Sequence, residues 1–328
     1  MIGSERDKGL EWRAMFPFCF EMDSLILSEK RDVVLVNAES NNMARNQTKT
    51  LLLASLLAAL LNACNAAEPG QEIAPGVRLL AYIRDPRIKE SSGVVASRRY
   101  ADVFWTHNDG GGPKKQVLYA IDREGNTRAS FPVIGVTLHD WEDLAIDSAG
   151  HLYIGDIGNN DSKRDALAVY EIKEPNPQAG AERISPKRVW NLRFPGAPFD
   201  CESLFVWKDD GYVVSKVFNN ARAQIFRFPL KETNRPLTLE LVATTKIESP
   251  VTGADISADG TLLGLVAKDG AYVFRIDGDV TRVSNANPHH TKLKNEHIEG
   301  CCFVPEGLLV TSERRMIFLF TDQAFRRR

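Results

Sequence analysis

The chain has 328 residues, of which 43% are hydrophobic and 26% are charged, a composition that allows one large folded core. Its formal net charge of −2 gives it none of the basic excess that binding to nucleic acid or to an anionic membrane surface requires. We therefore expect no nucleic-acid partner.

The N-terminal part of the chain contains an apolar run at 51–61, which is too short to span a bilayer. Basic residues precede this run and small residues follow it, a combination that predicts a secretory signal over residues 43–67. The tetrapeptide Leu-Asn-Ala-Cys, which ends at Cys64, resembles the bacterial lipobox. The resemblance implies a lipid anchor at Cys64 as the sole membrane attachment, and ordinary cleavage near Ala66 or Ala67 is the alternative.

A signal peptide is expected at the start of a chain, and Met43 offers such a start. We therefore predict that residues 1–42 are a mis-called extension without a structural role. Residues 68–76 are then a linker, and residues 77–328 form the folded domain. Export places the protein in the periplasm or on the outer membrane as a lipoprotein, or alternatively outside the cell as a secreted protein.

Three cysteines remain in the predicted domain: Cys201, Cys301 and Cys302. In an oxidising compartment Cys201 can pair with Cys301 or Cys302, and buried free thiols are the alternative. The sequence contains no C-x-x-C pair and no zinc-ligand spacing.

A strand with the pattern apolar, aromatic, any residue, apolar recurs five times in the domain, with its aromatic residue 44 to 56 positions after the previous one. The five copies occupy 118–121, 169–172, 225–228, 273–276 and 317–320. A period in the forties to fifties with about four short strands per unit is typical of a β-propeller. The aromatic residues are expected to form the core between blades.

A polar residue precedes the first strand of each unit. These leading residues are Glu90, Glu142, Glu202, Thr252 and Glu299. Four units supply four strands each, and the last supplies three. The extra strand at 77–83 can complete the last unit and close the ring, which removes open sheet edges. The sequence therefore predicts an all-β protein with five four-stranded blades closed by an N-terminal strand. A six-bladed ring is the alternative and needs one further repeat.

In three units the loop that follows the second strand is rich in Asp, Asn or Gly, at 107–112, 156–161 and 218–220. If the first strands line the axis, these loops and the leading residues meet at one channel mouth. Fourteen positions after a leading residue stand Asp156, Lys216 and Glu313, with His107 and Lys268 as the nearest counterparts in the other units. The candidate ligand-binding residues are Asn108, Asp140, Asn159, Asn160, Asp161, Lys216 and Lys268.

Carboxylates that converge on a channel repel one another and lose hydration, so a cation, a neighbouring base or a proton must offset them. Calcium prefers carboxylate and amide oxygens, which makes it the candidate cofactor. The candidate calcium ligands are Glu90, Glu142, Asp156 and Glu202. His107 and Asp109 are the candidate catalytic residues, because a histidine at this mouth can act as general base.

A purely structural interpretation of the same residues stays open. A leading glutamate can accept hydrogen bonds from the backbone of the next blade, and Lys216 and Lys268 can pair with neighbouring acids. Asn-rich loops are often only tight turns. We favour a structural role for Thr252, Glu299 and Glu313.

The motifs ESSG, HNDGGG, DWEDLA, GDIGNND, CESL and TGADIS, which begin at Glu90, resemble those of a group of exported bacterial propellers. That resemblance implies the fold and not a reaction. More distantly, Glu90, Asn108 and Glu202 resemble the residues with which calcium-dependent hydrolases of the gluconolactonase and paraoxonase type hold a central ion. Those families have six blades and different motifs.

Two functions follow as expectations. The first is a binding or scaffold propeller at the cell envelope, monomeric, whose mouth binds a small molecule, a glycan or an envelope protein. The alternative is a metal-dependent hydrolase that acts on an ester, lactone or phosphate, with calcium polarising the substrate and His107 or Asp109 assisting. The sequence has no G-x-S-x-G, Walker or H-E-x-x-H motif.

Overall fold

The fold is given by a computed structural model that describes residues 67–180 and 182–326. The predicted extension, most of the predicted signal segment and Cys64 lie outside the described residues. Within the described part of the chain, 22 strands form five sheets, and two 3₁₀ turns occupy Val280–Ser284 and Asp322–Phe325. None of the described residues belongs to a helix with the length and apolar character needed to cross a membrane.

The strands are numbered in chain order and grouped by blade. The strands before the first repeat are β1 (Glu72–Ala74) and β2 (Val77–Tyr82). Blade 1 contains β3 (Ser91–Ala96), β4 (Phe104–Asn108), β5 (Val117–Ile121) and β6 (Thr127–Pro132). Blade 2 contains β7 (Trp141–Ile146), β8 (His151–Asp156), β9 (Ala166–Lys173) and β10 (Arg188–Arg193).

The remaining blades repeat this arrangement. Blade 3 contains β11 (Cys201–Trp207), β12 (Asp210–Ser215), β13 (Gln224–Pro229) and β15 (Glu240–Thr244), while the short β14 (Leu237–Thr238) pairs in parallel with β10. Blade 4 contains β16 (Val251–Ile256), β17 (Leu262–Ala267), β18 (Gly270–Arg275) and β19 (His289–Lys292). Blade 5 contains β20 (Ile298–Val304), β21 (Gly307–Ser312) and β22 (Met316–Thr321).

The ring closes as predicted. Strand β2 pairs antiparallel with β22, placing Val77 opposite Phe320 and Tyr82 opposite Met316, so the N-terminal strand completes blade 5. The first strands β3, β7, β11, β16 and β20 contact one another in succession, and β20 contacts β3. The chain is a five-bladed β-propeller. The six-bladed alternative is wrong, and β1 occupies part of the stretch that was predicted to be a linker.

The core lies between the blades. In the described residues it consists of five apolar clusters, one at each contact between neighbouring blades. Successive side chains of a strand point to opposite faces of its sheet, so each blade serves two clusters. The repeated aromatic residues lie in these clusters, for example Phe226 between blades 2 and 3 and Phe274 between blades 3 and 4. The prediction that they form the core between blades is confirmed.

The three cysteines of the domain are buried and free. Cys201 belongs to the cluster between blades 2 and 3, Cys301 to the one between blades 4 and 5, and Cys302 to the one between blades 5 and 1. Burial raises the pKa of all three thiols. Because the cysteines lie in different clusters, the structure has free thiols and not the disulfide that the sequence left open.

Candidate functional site

In every blade the pairing between the first and second strands changes register near the start of the first, inner strand. This shift lies at the mouth of the channel. The pairs at this end of the blades are Ser91–Asn108, Trp141–Asp156, Cys201–Ser215, Val251–Ala267 and Ile298–Ser312. A β-bulge re-aims the side chain that follows such a pair. The residues in that position are Ser92, Glu142, Glu202, Thr252 and Glu299.

This register corrects one predicted equivalence. In blade 1 the counterpart of Glu142 is Ser92, whereas Glu90 lies two residues earlier, before the strand begins. Glu90 still reaches the mouth, where Lys115 Nζ lies 3.5 Å from its carboxylate.

A second polar ring follows the second strands. Its polar members, each one residue beyond the paired positions above, are Asp109, Lys216, Lys268 and Glu313, while the apolar Ile157 takes this position in blade 2 and is buried in the core. Asp156 is therefore not the counterpart of Lys216. Paired residues are 15 positions apart in blade 2 (Trp141 and Asp156) but 14 apart in blade 3 (Cys201 and Ser215), because the turn of blade 2 is longer.

Asp156 instead supports the loop above its strand. It is fully buried, and its Oδ1 accepts hydrogen bonds from the N–H groups of His139 at 3.1 Å and Asp140 at 2.8 Å. The Arg164 guanidinium lies 3.2 Å from the same oxygen. The structure thus places this candidate calcium ligand outside the mouth.

The two rings surround a cavity of about 140 Å³. Its lining residues are Glu90, Ser91, Ser92, Asp109, Glu142, Asn160, Glu202, Lys216, Lys268, Glu299 and Glu313. Six carboxylates therefore face two lysines. One of these lysines already forms an ion pair, because Lys216 Nζ contacts the Glu202 carboxylate. Both side chains are nearly buried. The mouth carries an excess of negative charge that these lysines do not offset.

The negative charge is densest around Asp109, Asp140 and Glu142. One carboxylate oxygen from each lies within 4.8 Å of the others. Burial raises the pKa of Asp109 and Asp140, and it raises that of Glu142 well above its usual range, with the charges of Asp109 and Asp140 acting in the same direction. We call these three residues the acidic triad. Such a group of acids favours the binding of a proton or a cation.

Gly158 leaves room for two of these carboxylates. A Cβ atom at this position would lie 2.2 Å from Glu142 Oε1 and 2.3 Å from Asp140 Oδ2. Its backbone N–H also donates to the Asp140 carbonyl oxygen at 3.2 Å. Any side chain at position 158 would fill the space in which the two acids converge.

A second pair of acids lines the mouth from blade 5. Burial raises the pKa of Glu299 well above its usual range, and a hydrogen bond with the Glu313 side chain adds to the effect. These two residues were expected to be structural, yet both face the cavity. Their place in the two polar rings was the signal in the sequence that pointed to the mouth.

The uncharged members of the first ring bind the next blade. Ser92 Oγ donates to the Glu142 carbonyl oxygen at 2.6 Å, and Thr252 Oγ1 donates to the Ile298 carbonyl oxygen at 2.9 Å. Hydroxyl groups at this position therefore join neighbouring blades, while the carboxylates of Glu142, Glu202 and Glu299 line the cavity. The structural role favoured for Thr252 agrees with this contact.

His107 is fully buried below the mouth. Its Nε2 accepts a hydrogen bond from the Gly93 N–H at 3.1 Å, and its Nδ1 donates to the Asn108 carbonyl oxygen at 2.9 Å. The imidazole stacks on Trp141 with ring centroids 4.0 Å apart, and burial lowers the pKa of His107 to about 3. Both ring nitrogens are engaged, so neither is free for the general-base role expected of this histidine.

The candidate asparagines divide between loop support and the mouth. Asn108 Oδ1 accepts from the N–H groups of Lys89 at 2.7 Å and Glu90 at 3.2 Å. Asn159 Oδ1 accepts from the Arg164 N–H at 2.9 Å. Both side chains hold loops in shape, whereas Asn160 lines the cavity.

Two further candidates are placed at the edges of this region. Asp161 is exposed and pairs with Lys163 at 2.7 Å, away from the cavity lining. Lys268, by contrast, lines the cavity as expected. The structure therefore brings together Glu90, Asp109, Glu142, Glu202 and the two lysines, with Asp140 beside them.

No protein-family model matches the chain, and no curated protein matches it in sequence. The solved structure of the Dos1 propeller matches with 15% identity over 68% of this chain and 52% of that chain, with a TM-score of 0.35. A chain of the crystal structure of the Mitotic Checkpoint Complex matches with 11% identity over 69% and 60%, also with a TM-score of 0.35. The match spans less than two thirds of either solved chain.

Proposed function

We propose that the protein is a binding propeller of the cell envelope whose mouth holds a calcium ion at the acidic triad. The convergence of Asp109, Asp140 and Glu142 is the observation that carries this proposal. Carboxylate oxygens are the ligands that calcium prefers, and Asn160, which lines the same cavity, offers an amide oxygen. The ion offsets the burial and the mutual repulsion that raise the pKa of these acids.

The size of the cavity supports binding at the mouth and not inside the channel. A volume of about 140 Å³ lies well below the roughly 300–1,000 Å³ of pockets that enclose a small molecule. It suits an ion with a few waters. The partner therefore binds the ion from outside the cavity through its own oxygen atoms. This partner is a small molecule, a glycan or an envelope protein.

The binding role is favoured over the hydrolase because of His107. A metal-dependent hydrolase usually needs a positioned base beside the ion. The histidine expected for that purpose has both ring nitrogens engaged in hydrogen bonds. The predicted signal segment and the lipobox-like Cys64 support the envelope location.

Calcium titration by isothermal calorimetry tests the proposal. We expect one ion per chain for the wild-type protein and at least about tenfold weaker binding for Glu142→Gln, as loss of one charged ligand implies. Asp161→Asn is the matched control because Asp161 is an exposed acid outside the cavity. Absence of calcium binding by the wild type, or equal affinity in Glu142→Gln, contradicts the proposal.

A second measurement separates the two functions. Esterase, lactonase and phosphatase turnover is measured with calcium present, next to glycan and peptide binding with and without calcium. Turnover by the wild type that is lost in Glu142→Gln would support the hydrolase function instead. Calcium-dependent binding without turnover supports the binding propeller.

A further inference from the structure

The face opposite the mouth carries two adjoining cavities, of about 750 Å³ and 470 Å³. They share Arg98, Ser257 and Ala258 and are lined by the short turns that join first and second strands. We call the combined depression the lower groove. Each of the two cavities has a volume in the range of pockets that bind small molecules, unlike the mouth.

The walls of the lower groove are mainly apolar. The larger cavity is lined by Leu262, Phe303, Pro305 and Leu308, among others, and the smaller one by Trp207 and Ile256. Apolar walls with a few polar groups are typical of sites for small organic ligands, since burial of an apolar body supplies affinity and the polar groups supply orientation.

The charged group common to both cavities is Arg98, and Ser257 adds a hydroxyl. The Arg98 side chain is exposed, and among the described residues it makes no ion pair or hydrogen bond. The next residue behaves differently, because Arg99 lies 3.7 Å from the buried Glu174 carboxylate and donates to the Ala149 carbonyl oxygen at 3.1 Å. Arg98 is thus an available cation at the junction of two apolar cavities.

The acidic residues near Arg98 accept hydrogen bonds from groups other than Arg98. Asp147 accepts hydrogen bonds from the His151 N–H and the Tyr153 hydroxyl, at 2.8 Å and 3.0 Å. Asp259 accepts from the hydroxyls of Ser257 and Thr261.

Two further acidic residues, Asp255 and Asp322, belong to this region. Asp255, which is nearly buried, accepts from the Phe303 N–H at 2.8 Å. Asp322 and Arg326 line the larger cavity and contribute one charge of each sign. Lys208 adds a further positive charge to the smaller cavity. Among the charged residues described as lining the groove, Arg98 alone belongs to both cavities.

We propose that the lower groove binds a small monocarboxylate with an apolar body. The apolar body lies against Leu262, Phe303 and Leu308, and the carboxylate binds the Arg98 guanidinium. Arginine suits this task because its planar fork can donate two parallel hydrogen bonds to one carboxylate. This site is separate from the acidic triad, so its test does not depend on calcium binding at the mouth.

Dodecanoate is the probe, with dodecanol as the neutral ligand of equal chain length, and binding is measured by isothermal calorimetry below the micellar concentration. We expect saturable binding of dodecanoate at one site. Arg98→Gln should weaken it by about tenfold or more, the size expected for a lost charge-assisted hydrogen bond. Arg99→Gln, the adjacent control, should bind like the wild type, and dodecanol should not distinguish Arg98→Gln from the wild type.

A second variant tests the location of the apolar body. Ala258 is exposed and common to both cavities, so Ala258→Trp should keep the fold and weaken both ligands. Circular dichroism verifies the fold of each variant. Lack of saturable dodecanoate binding by the wild type, or wild-type affinity in both Arg98→Gln and Ala258→Trp, overturns the proposal.

Discussion

The Asp143 carboxylate of blade 2 accepts a hydrogen bond from the Leu204 N–H of blade 3 at 2.8 Å. Its other oxygen accepts from the Leu144 N–H, also at 2.8 Å. Asp255 of blade 4 makes the same kind of contact with the Phe303 N–H of blade 5. The inner strands of neighbouring blades belong to different sheets. These buried aspartates therefore join them from side chain to backbone, as the hydroxyls of Ser92 and Thr252 do at the mouth.

Asp143→Ala tests the strength of this connection. The change leaves the Leu204 N–H without its acceptor in a fully buried position, and we expect a loss of about 2–3 kcal/mol in the free energy of unfolding. Urea denaturation measures it. Glu248→Ala, at an exposed acid, is the control and should change stability by no more than about 0.5 kcal/mol. Equal stability of both variants would contradict a structural role for Asp143.

His107 should contribute a pH dependence of its own. Burial lowers its pKa from 6.5 to about 3, so between these values the unfolded chain binds a proton at this residue and the folded chain does not. The free energy of unfolding therefore rises with pH across this window, by up to about 1.4 kcal/mol per pH unit. The stability is fully present above pH 6.5 and decreases as pH falls.

His107→Gln removes that titration. Urea denaturation at several pH values between 4.5 and 7.5 should show a shallower pH dependence for the variant than for the wild type. It should also show lower stability at pH 7.5, by about 1–3 kcal/mol, because glutamine cannot restore the stack on Trp141 and both hydrogen bonds. His289→Gln, on the exposed part of β19, is the control. An unchanged slope in His107→Gln would refute this account.

The fold was predictable because a propeller repeats one simple requirement. Every blade must present apolar residues to two neighbours, and the recurring aromatic strand satisfies this in each unit. The extra strand at 77–83 was also recognisable, since the last repeat lacked one strand and β2 supplies it. Period and strand count are properties that sequence alone carries.

The site was only partly predictable, because its geometry depends on single-residue shifts. A bulge places Ser92, not Glu90, beside Glu142, and one extra turn residue moves Asp156 out of the mouth. A one-residue shift sends a side chain to the other face of a strand. Backbone contacts across blades were expected of the leading glutamates, but the following residue, Asp143, makes one.

Lys216 and Glu202 form a nearly buried ion pair at the mouth, with 10% and 8% of their side chains exposed. Removing one partner leaves the other charge buried and unpaired, so Lys216→Met should lower the free energy of unfolding by about 3–5 kcal/mol. The double variant Lys216→Met, Glu202→Gln should recover much of that loss. A double-mutant cycle from urea denaturation measures the coupling. Additive effects would show that the pair contributes nothing.

Calcium should stabilise the protein more at pH 8 than at pH 5. Burial, reinforced by Asp109 and Asp140, raises the pKa of Glu142 well above 4.5, so the folded state retains a proton that the unfolded state releases. This contribution to stability is present below pH 4.5 and is lost as pH rises through the folded-state pKa. A calcium ion replaces the proton and restores stability at high pH.

Thermal unfolding with calcium and with EDTA at both pH values measures this difference. The increase in Tm should be larger at pH 8 and should disappear in Glu142→Gln, while Asp161→Asn keeps it. A calcium effect that is equal at both pH values would mean that the ion and the proton do not compete for the acidic triad.

Gly158→Ala offers a test of the triad that changes no charge. The added methyl group would lie 2.2 Å from Glu142 Oε1 and 2.3 Å from Asp140 Oδ2, far inside van der Waals contact, so both carboxylates must move away from it. Calcium affinity should then fall by about tenfold or more, since the ion loses the geometry of two ligands. Gly196→Ala is the matched control, because apart from the adjoining residues no atom lies within 4 Å of a Cβ at position 196. If Gly158→Ala bound calcium as tightly as Gly196→Ala, the ion would have to bind elsewhere than between Asp140 and Glu142.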